Sequence, residues 1–258
     1  MNKRHKIIIT SSVLPLALIV IWYAPLSIFI TYKFYLIGGV VTLSYLLSLW
    51  SLWEGISKLK GAVLLILPTL FTLALAGYYF LLPLRWPVPT AVIFGLTFYT
   101  LLLSQNVFNV ASIRTIPLYR VASTTAFVLT LMTAFLLFNV MFSLNQLFLW
   151  NGAMAFLISF PLVLQLLWSI EMEGINGRIL AYTGGISLIT GELALALSFW
   201  PIFHPLASLI LMTALFVTVG TSTHFFRERM TPGVVWEYVA WGVAVFIIAA
   251  YVTSWTGE

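Results

Sequence analysis

Glu192, in the run Thr190-Gly191-Glu192, is the residue of this chain whose chemistry most needs a reason. It falls near the middle of a long apolar stretch, 179–203. A carboxylate deep in a bilayer is costly when charged, so it has to be paired, wet or protonated. Two roles meet that demand. One is a proton relay or cation-binding carboxylate in a cavity; the other is a neutral side chain hydrogen-bonded to a neighbouring helix. Ala181, Gly184, Gly185 and Gly191 give the same stretch a small-residue face for close helix packing.

Further polar residues gather where apolar stretches end. Glu54 and Lys58 follow one stretch, and Glu171, Glu173 and Arg178 follow another. Brought together they would form an inner gate or a headgroup site. Left apart they are solvated interfacial charges, which are cheap at helix ends. Gln105, Asn106 and Asn109 close a third stretch before Arg114 and Arg120. Gln105 and Asn109 share a helical face by spacing, where they either bind a polar substrate or tie helices together at ~0.6–2 kcal/mol per amide bond. His224 stands comparably before Arg227 and Arg229. Arg114, Arg120, Arg227 and Arg229 are candidates to hold a phosphate headgroup.

Much chemistry is excluded. Cysteine is absent, and all seven acids are glutamates. Thiolate metal sites, Fe–S clusters, Ser-His-Asp triads and Asp dyads therefore cannot be built. His204 and His224 are twenty residues apart, about 30 Å along one helix, and cannot share a metal. No HExxH, GxSxG, Walker or Rossmann pattern occurs. The sequence points to no metal and no cofactor, and it leans away from an enzyme.

The elements that position these residues are set by composition. Hydrophobic residues make up 62% and charged residues 7%, against about 25% charged in a soluble domain. Such a chain cannot keep a wet surface, so lipid is its expected solvent. Nine stretches reach the ~20 apolar residues a spanning helix needs: 7–23, 34–53, 61–82, 90–110, 121–142, 147–170, 179–203, 205–226 and 234–255. The expected fold is all-α, a polytopic transmembrane helix bundle of about nine helices. The N-terminal Lys3, Arg4 and Lys6 followed by apolar residues resemble a signal peptide, but the run ends in Trp22-Tyr23-Ala24-Pro25 without a cleavage pattern, so an uncleaved first helix is expected.

Charge orients the bundle. With the N-terminus inside, Lys3, Arg4, Lys6, Lys58, Lys60, Arg114, Arg120, Arg178, Arg227 and Arg229 fall on the cytoplasmic side, and Lys33 and Arg85 outside, a ratio of ten to two. This reading gives a multi-pass protein of the cell membrane, N-terminus cytoplasmic and C-terminus outside. All tryptophans except Trp241 fall near a stretch end, the depth where indole prefers to sit. The net charge of +5 is spread too thinly for nucleic acid.

Two parts of the chain echo each other. Trp50-Ser51-Leu52-Trp53-Glu54-Gly55-Ile56 resembles Trp168-Ser169-Ile170-Glu171-Met172-Glu173-Gly174-Ile175, and Leu73-Ala74-Leu75-Ala76 matches Leu193-Ala194-Leu195-Ala196. The offsets, 114 to 120 residues, suggest a 4+4 parallel repeat with halves 1–117 and 118–232, plus an extra helix at 233–258, all in one transmembrane domain spanning 1–258. The bland alternative is chance alignment of apolar sequence.

Three functions stay open: a small-solute or ion transporter using Glu192, a non-catalytic membrane subunit or scaffold, and a lipid-modifying enzyme. The expected partners are the lipid bilayer and either another membrane protein or further copies of the chain.

Overall fold

The structure, a computed structural model, describes residues 3–23, 26–53, 58–81, 86–110, 117–172 and 174–253. The described residues form nine helices: α1 (Lys3–Trp22), α2 (Leu26–Leu52), α3 (Lys58–Leu81), α4 (Pro87–Val110), α5 (Pro117–Ser143), α6 (Phe148–Glu171), α7 (Gly177–Leu197), α8 (His204–Phe226) and α9 (Pro232–Val252). Every one is long and apolar enough to cross a membrane, and no strand occurs among the described residues. The fold is that of an integral membrane protein, because in hydrocarbon a spanning segment must satisfy its own backbone and a helix does so internally.

Helix ends follow local chemistry. Proline opens α4, α5 and α9 and stands second in α8, where its missing N–H costs nothing. Asn176 caps α7 by accepting from the Ile179 N–H at 2.8 Å. Met172 ends α6 with φ 56°, its N–H donating to the Trp168 carbonyl at 2.8 Å. Inside the helices, threonine and serine hydroxyls mostly donate back to carbonyls of the preceding turn, as Thr130 does to Ala126 and Thr213 to Leu209. That return keeps small polar groups satisfied without water.

The chain divides into two compact units, Met1–Thr133 and Ala134–Glu258, with the boundary inside α5. In the first unit α1 packs on α2 and α4, and α3 on α2 and α4. Its core holds Phe71 of α3 against Phe94 and Phe98 of α4, centroids 5.6 and 6.4 Å away. Ser44 and Thr72 join α2 to α3 through a buried 2.7 Å hydrogen bond. Thr72 gives its own hydrogen to the Pro68 carbonyl, so Ser44 is the donor. Gly95 lets α4 approach α1: a Cβ there would lie 2.6 Å from the Pro15 ring.

In the second unit α6 packs along α7, α7 and α6 contact α8, and α9 contacts α8. The α6–α7 approach is very close. A Cβ on Gly152 would meet Leu195 at 2.5 Å, and one on Gly191 would meet the Gly152 carbonyl at 3.0 Å. Asn151 of α6 adds a hydrogen bond to Ser198 at 3.0 Å.

Three sequence expectations are corrected. α7 ends at Leu197, not near 203. Ser198 donates to the Ala194 carbonyl while accepting from Asn151, and Pro201 follows. A helix seldom runs through the residue before a proline, so Pro201 was the stop signal the hydropathy reading passed over. Lys33 lies within α2 and not in a loop, because α2 starts at Leu26. At 27 residues α2 is about 40 Å long, longer than the ~30 Å hydrocarbon layer, so its first turns extend toward the headgroups. Trp168 is not part of an interfacial belt: it is buried, 1% exposed.

Candidate functional site

The shortened α7 changes the setting of Glu192. It is five residues from the end at Leu197, about 7–8 Å along the axis and well off the middle. It also points outward. Ala181, Gly185, Leu188, Glu192, Ala196 and Phe199 are all exposed and share one face, while Ile179, Thr183, Ser187, Thr190, Gly191 and Ala194 are buried on the other. No hydrogen bond or ion pair engages Glu192 among the described residues. A Cβ added to Gly184 or Gly185 would meet nothing within 4 Å, so this face has open space beside it.

Two grooves flank α8. One, about 410 Å³, lies between α7 and α8 and is lined by Ala181, Tyr182, Gly185, Ile186 and Ile189 opposite Thr218, Thr221 and Ser222. The other, about 310 Å³, runs between α8 and α9 past Thr213, Val217, Gly242 and Phe246. Glu192 lines neither.

At the start of α7 the residues do converge. The Arg178 guanidinium lies over Phe225 and Phe226 of α8, 5.1 and 4.7 Å from the ring centroids. One turn on, Tyr182 stacks on Phe225 at 5.7 Å and meets Phe226 edge-on at 5.1 Å. Arg178 and Tyr182 are four apart and so share a helix face. A cation over an aromatic face is held by the ring quadrupole. Arg227 and Arg229 follow α8 at the same end and are exposed. His224 faces inward instead, its ring 5.8 Å from Tyr238 of α9. Glu171 accepts from the Asn176 amide at 2.8 Å.

The amide-rich end of α4 belongs to the first unit. Asn109 donates from Nδ2 to the carbonyl of Leu52, the last residue of α2, at 3.0 Å. That carbonyl has no partner within its own helix, so Asn109 caps α2 from a neighbour. Gln105 is fully buried. Asn106 is half-buried, its Oδ1 without a hydrogen-bond partner among the described residues. Arg120 is exposed in the first turn of α5. Glu54, Glu173 and Arg114 lie outside the described residues, as does the side chain of Lys58.

Several features were not singled out from sequence. Tyr182, Phe225 and Phe226 read as ordinary apolar-stretch residues until α7 and α8 are packed. Thr183 and Ser187 are fully buried on α7 with hydroxyls that have no partner among the described residues. No group of three or more His, Cys, Asp or Glu that could hold a metal occurs among the described residues.

Neither a curated protein nor a solved structure matches this chain. Residues 25–252, which take in α2 through α9, match the family described as "Protein of unknown function (DUF5656)", and this chain of nine apolar helices among its described residues belongs to that family.

Proposed function

We propose that this protein is a non-catalytic membrane scaffold that assembles laterally with a second copy of itself through the outward face of the last two turns of α7. The observation that carries the reading is Glu192, exposed, without a partner among the described residues, and one turn from the small exposed Ala196 on a spanning helix. Ionisable groups in spans almost always face protein or a watery cavity. A small residue beside it lets another backbone come close. A two-fold axis along the membrane normal brings each residue opposite itself at one depth. Two Glu192 carboxyl groups meeting there would hydrogen-bond to each other. The transporter reading has less support, since Glu192 lines neither of the two grooves described beside α8.

The reading places the protein in the cell membrane, N-terminus in the cytoplasm and C-terminus outside, on the ten-to-two charge distribution. An internal duplication is favoured by the parallel succession of neighbours in each unit: α2–α3, α3–α4 and α2–α4 in one, α6–α7, α7–α8 and α6–α8 in the other.

Because the natural chain has no cysteine, single-cysteine variants test the contact cleanly. Oxidative cross-linking in membranes should give a dimer from Ala196→Cys and none from the buried Ala194→Cys. Glu192→Leu should reduce dimer formed by the Ala196→Cys chain, while Glu192→Gln should retain it, because an amide still donates and accepts. Equal cross-linking from both cysteine positions, or none from Ala196→Cys, refutes the assembly.

A further inference from the structure

We propose that the groove between α7 and α8 holds one acyl chain of an anionic phospholipid, with the lipid phosphate on the Arg178 guanidinium. Dimensions come first. From Arg178 to Ile189, the last α7 residue of the groove, is eleven residues, about 16 Å of helix. That is half the ~30 Å hydrocarbon thickness, the reach of a single leaflet. The volume of about 410 Å³ falls within the ~300–1,000 Å³ of ordinary ligand sites.

The lining is dry despite its hydroxyls. Thr218, Thr221 and Ser222 donate to the carbonyls of Ala214, Val217 and Thr218 respectively. They therefore offer mainly methyl and methylene surface. Gly185 deepens the groove by lacking a side chain where there is room for one.

Charge then selects the headgroup. Arg178 stands in the first turn of α7, at the end of a helix long enough to span the bilayer, where headgroups are within reach. No carboxylate pairs with it among the described residues. Of the described acids at this end, Glu171 is engaged by Asn176, Glu237 lies beside Tyr238 on α9, and Glu228 stands between Arg227 and Arg229; Glu173 lies outside the described residues. Stacking on Phe225 and Phe226 occupies the guanidinium face, not its N–H edges, the geometry that suits a phosphate.

The test is lipid retention by the purified full-length chain, measured by native mass spectrometry with phosphatidylglycerol and phosphatidylcholine of matched chains. The wild type should retain phosphatidylglycerol about tenfold more strongly, as one charge-assisted contact allows. Arg178→Gln should remove the preference while keeping chain binding. Gly185→Leu, whose Cβ would meet nothing within 4 Å, should lower retention of both lipids, and Ala181→Leu should act alike from the neighbouring turn. Thermal unfolding of each variant separates lost binding from lost fold. Equal retention of the two lipids by the wild type overturns the site. Full retention by Gly185→Leu does so too, as does a dimer that Gly185→Leu dissociates without changing lipid, which would put a second copy in the groove. The inference is independent of assembly through Glu192, because retention is read on the monomer and assembly by cross-linking.

Discussion

Replacing Gly95 by alanine should loosen the first unit, and two distances set the size of the effect. The new Cβ would lie 2.6 Å from Pro15 Cγ and 3.0 Å from the Ser11 carbonyl oxygen. Carbon atoms pack best at about 3.5–4.0 Å, so α1 and α4 would have to part by about 1 Å at that point. Neither neighbour can turn aside: one is a ring closed on its own backbone, the other is main chain. Overpacking of a well-packed site costs ~1–3 kcal/mol, and rigid neighbours put this site in the upper part of that range. Alanine returns up to ~1 kcal/mol of helix propensity. The net expectation is a loss of about 1–2 kcal/mol. Gly38→Ala is the control. Nothing lies within 4 Å of a Cβ there, so only the propensity gain of up to ~1 kcal/mol operates. Equilibrium unfolding of the full chain in mixed micelles, followed by tryptophan fluorescence, should place the two variants on opposite sides of the wild type. If Gly95→Ala proves as stable as Gly38→Ala, the α1–α4 approach is not the constraint described.

Asn109→Leu should cost ~0.6–2 kcal/mol by removing the cap on the Leu52 carbonyl, with Asn106→Leu costing less in the same unfolding measurement, since the Asn106 Oδ1 has no partner among the described residues. Thr183→Val should be neutral or stabilising, because it deletes a buried hydroxyl without a partner among the described residues and keeps the shape; a lower thermal midpoint would mean that the hydroxyl is bonded. Met172→Gly should stabilise by about 1 kcal/mol, relieving a side chain held at φ 56°, and a loss on unfolding would show the Met172 side chain to matter more than its backbone. Ser44→Ala should lose one α2–α3 hydrogen bond but leave no stranded donor, since Thr72 keeps its bond to Pro68; a deficit above ~2 kcal/mol would contradict that partition.

What the sequence determined by itself is the set of spans. Hydropathy is a local property, and hydrocarbon forces each apolar run of sufficient length into a helix whatever its neighbours. The residues flanking those runs, such as Pro87, Pro117 and Asn176, fixed most helix ends for equally local reasons. Glu192 was also legible as a residue needing explanation. Its surroundings were not. Thr183, Ser187 and Thr190 do share one face of α7, but Glu192 lies on the other, so side-chain polarity alone does not say which face is covered. Which face is covered depends on Gly152 and Gly191 drawing α6 against α7. Its depth depends on Ser198, tied to Asn151 forty-seven residues away, and on Pro201. The Arg178 site likewise needed α8 to fold back and lay Phe225 and Phe226 under a guanidinium. Contacts between apolar helices rest on shape, and shape complementarity between distant segments leaves no periodic trace in the chain that carries it.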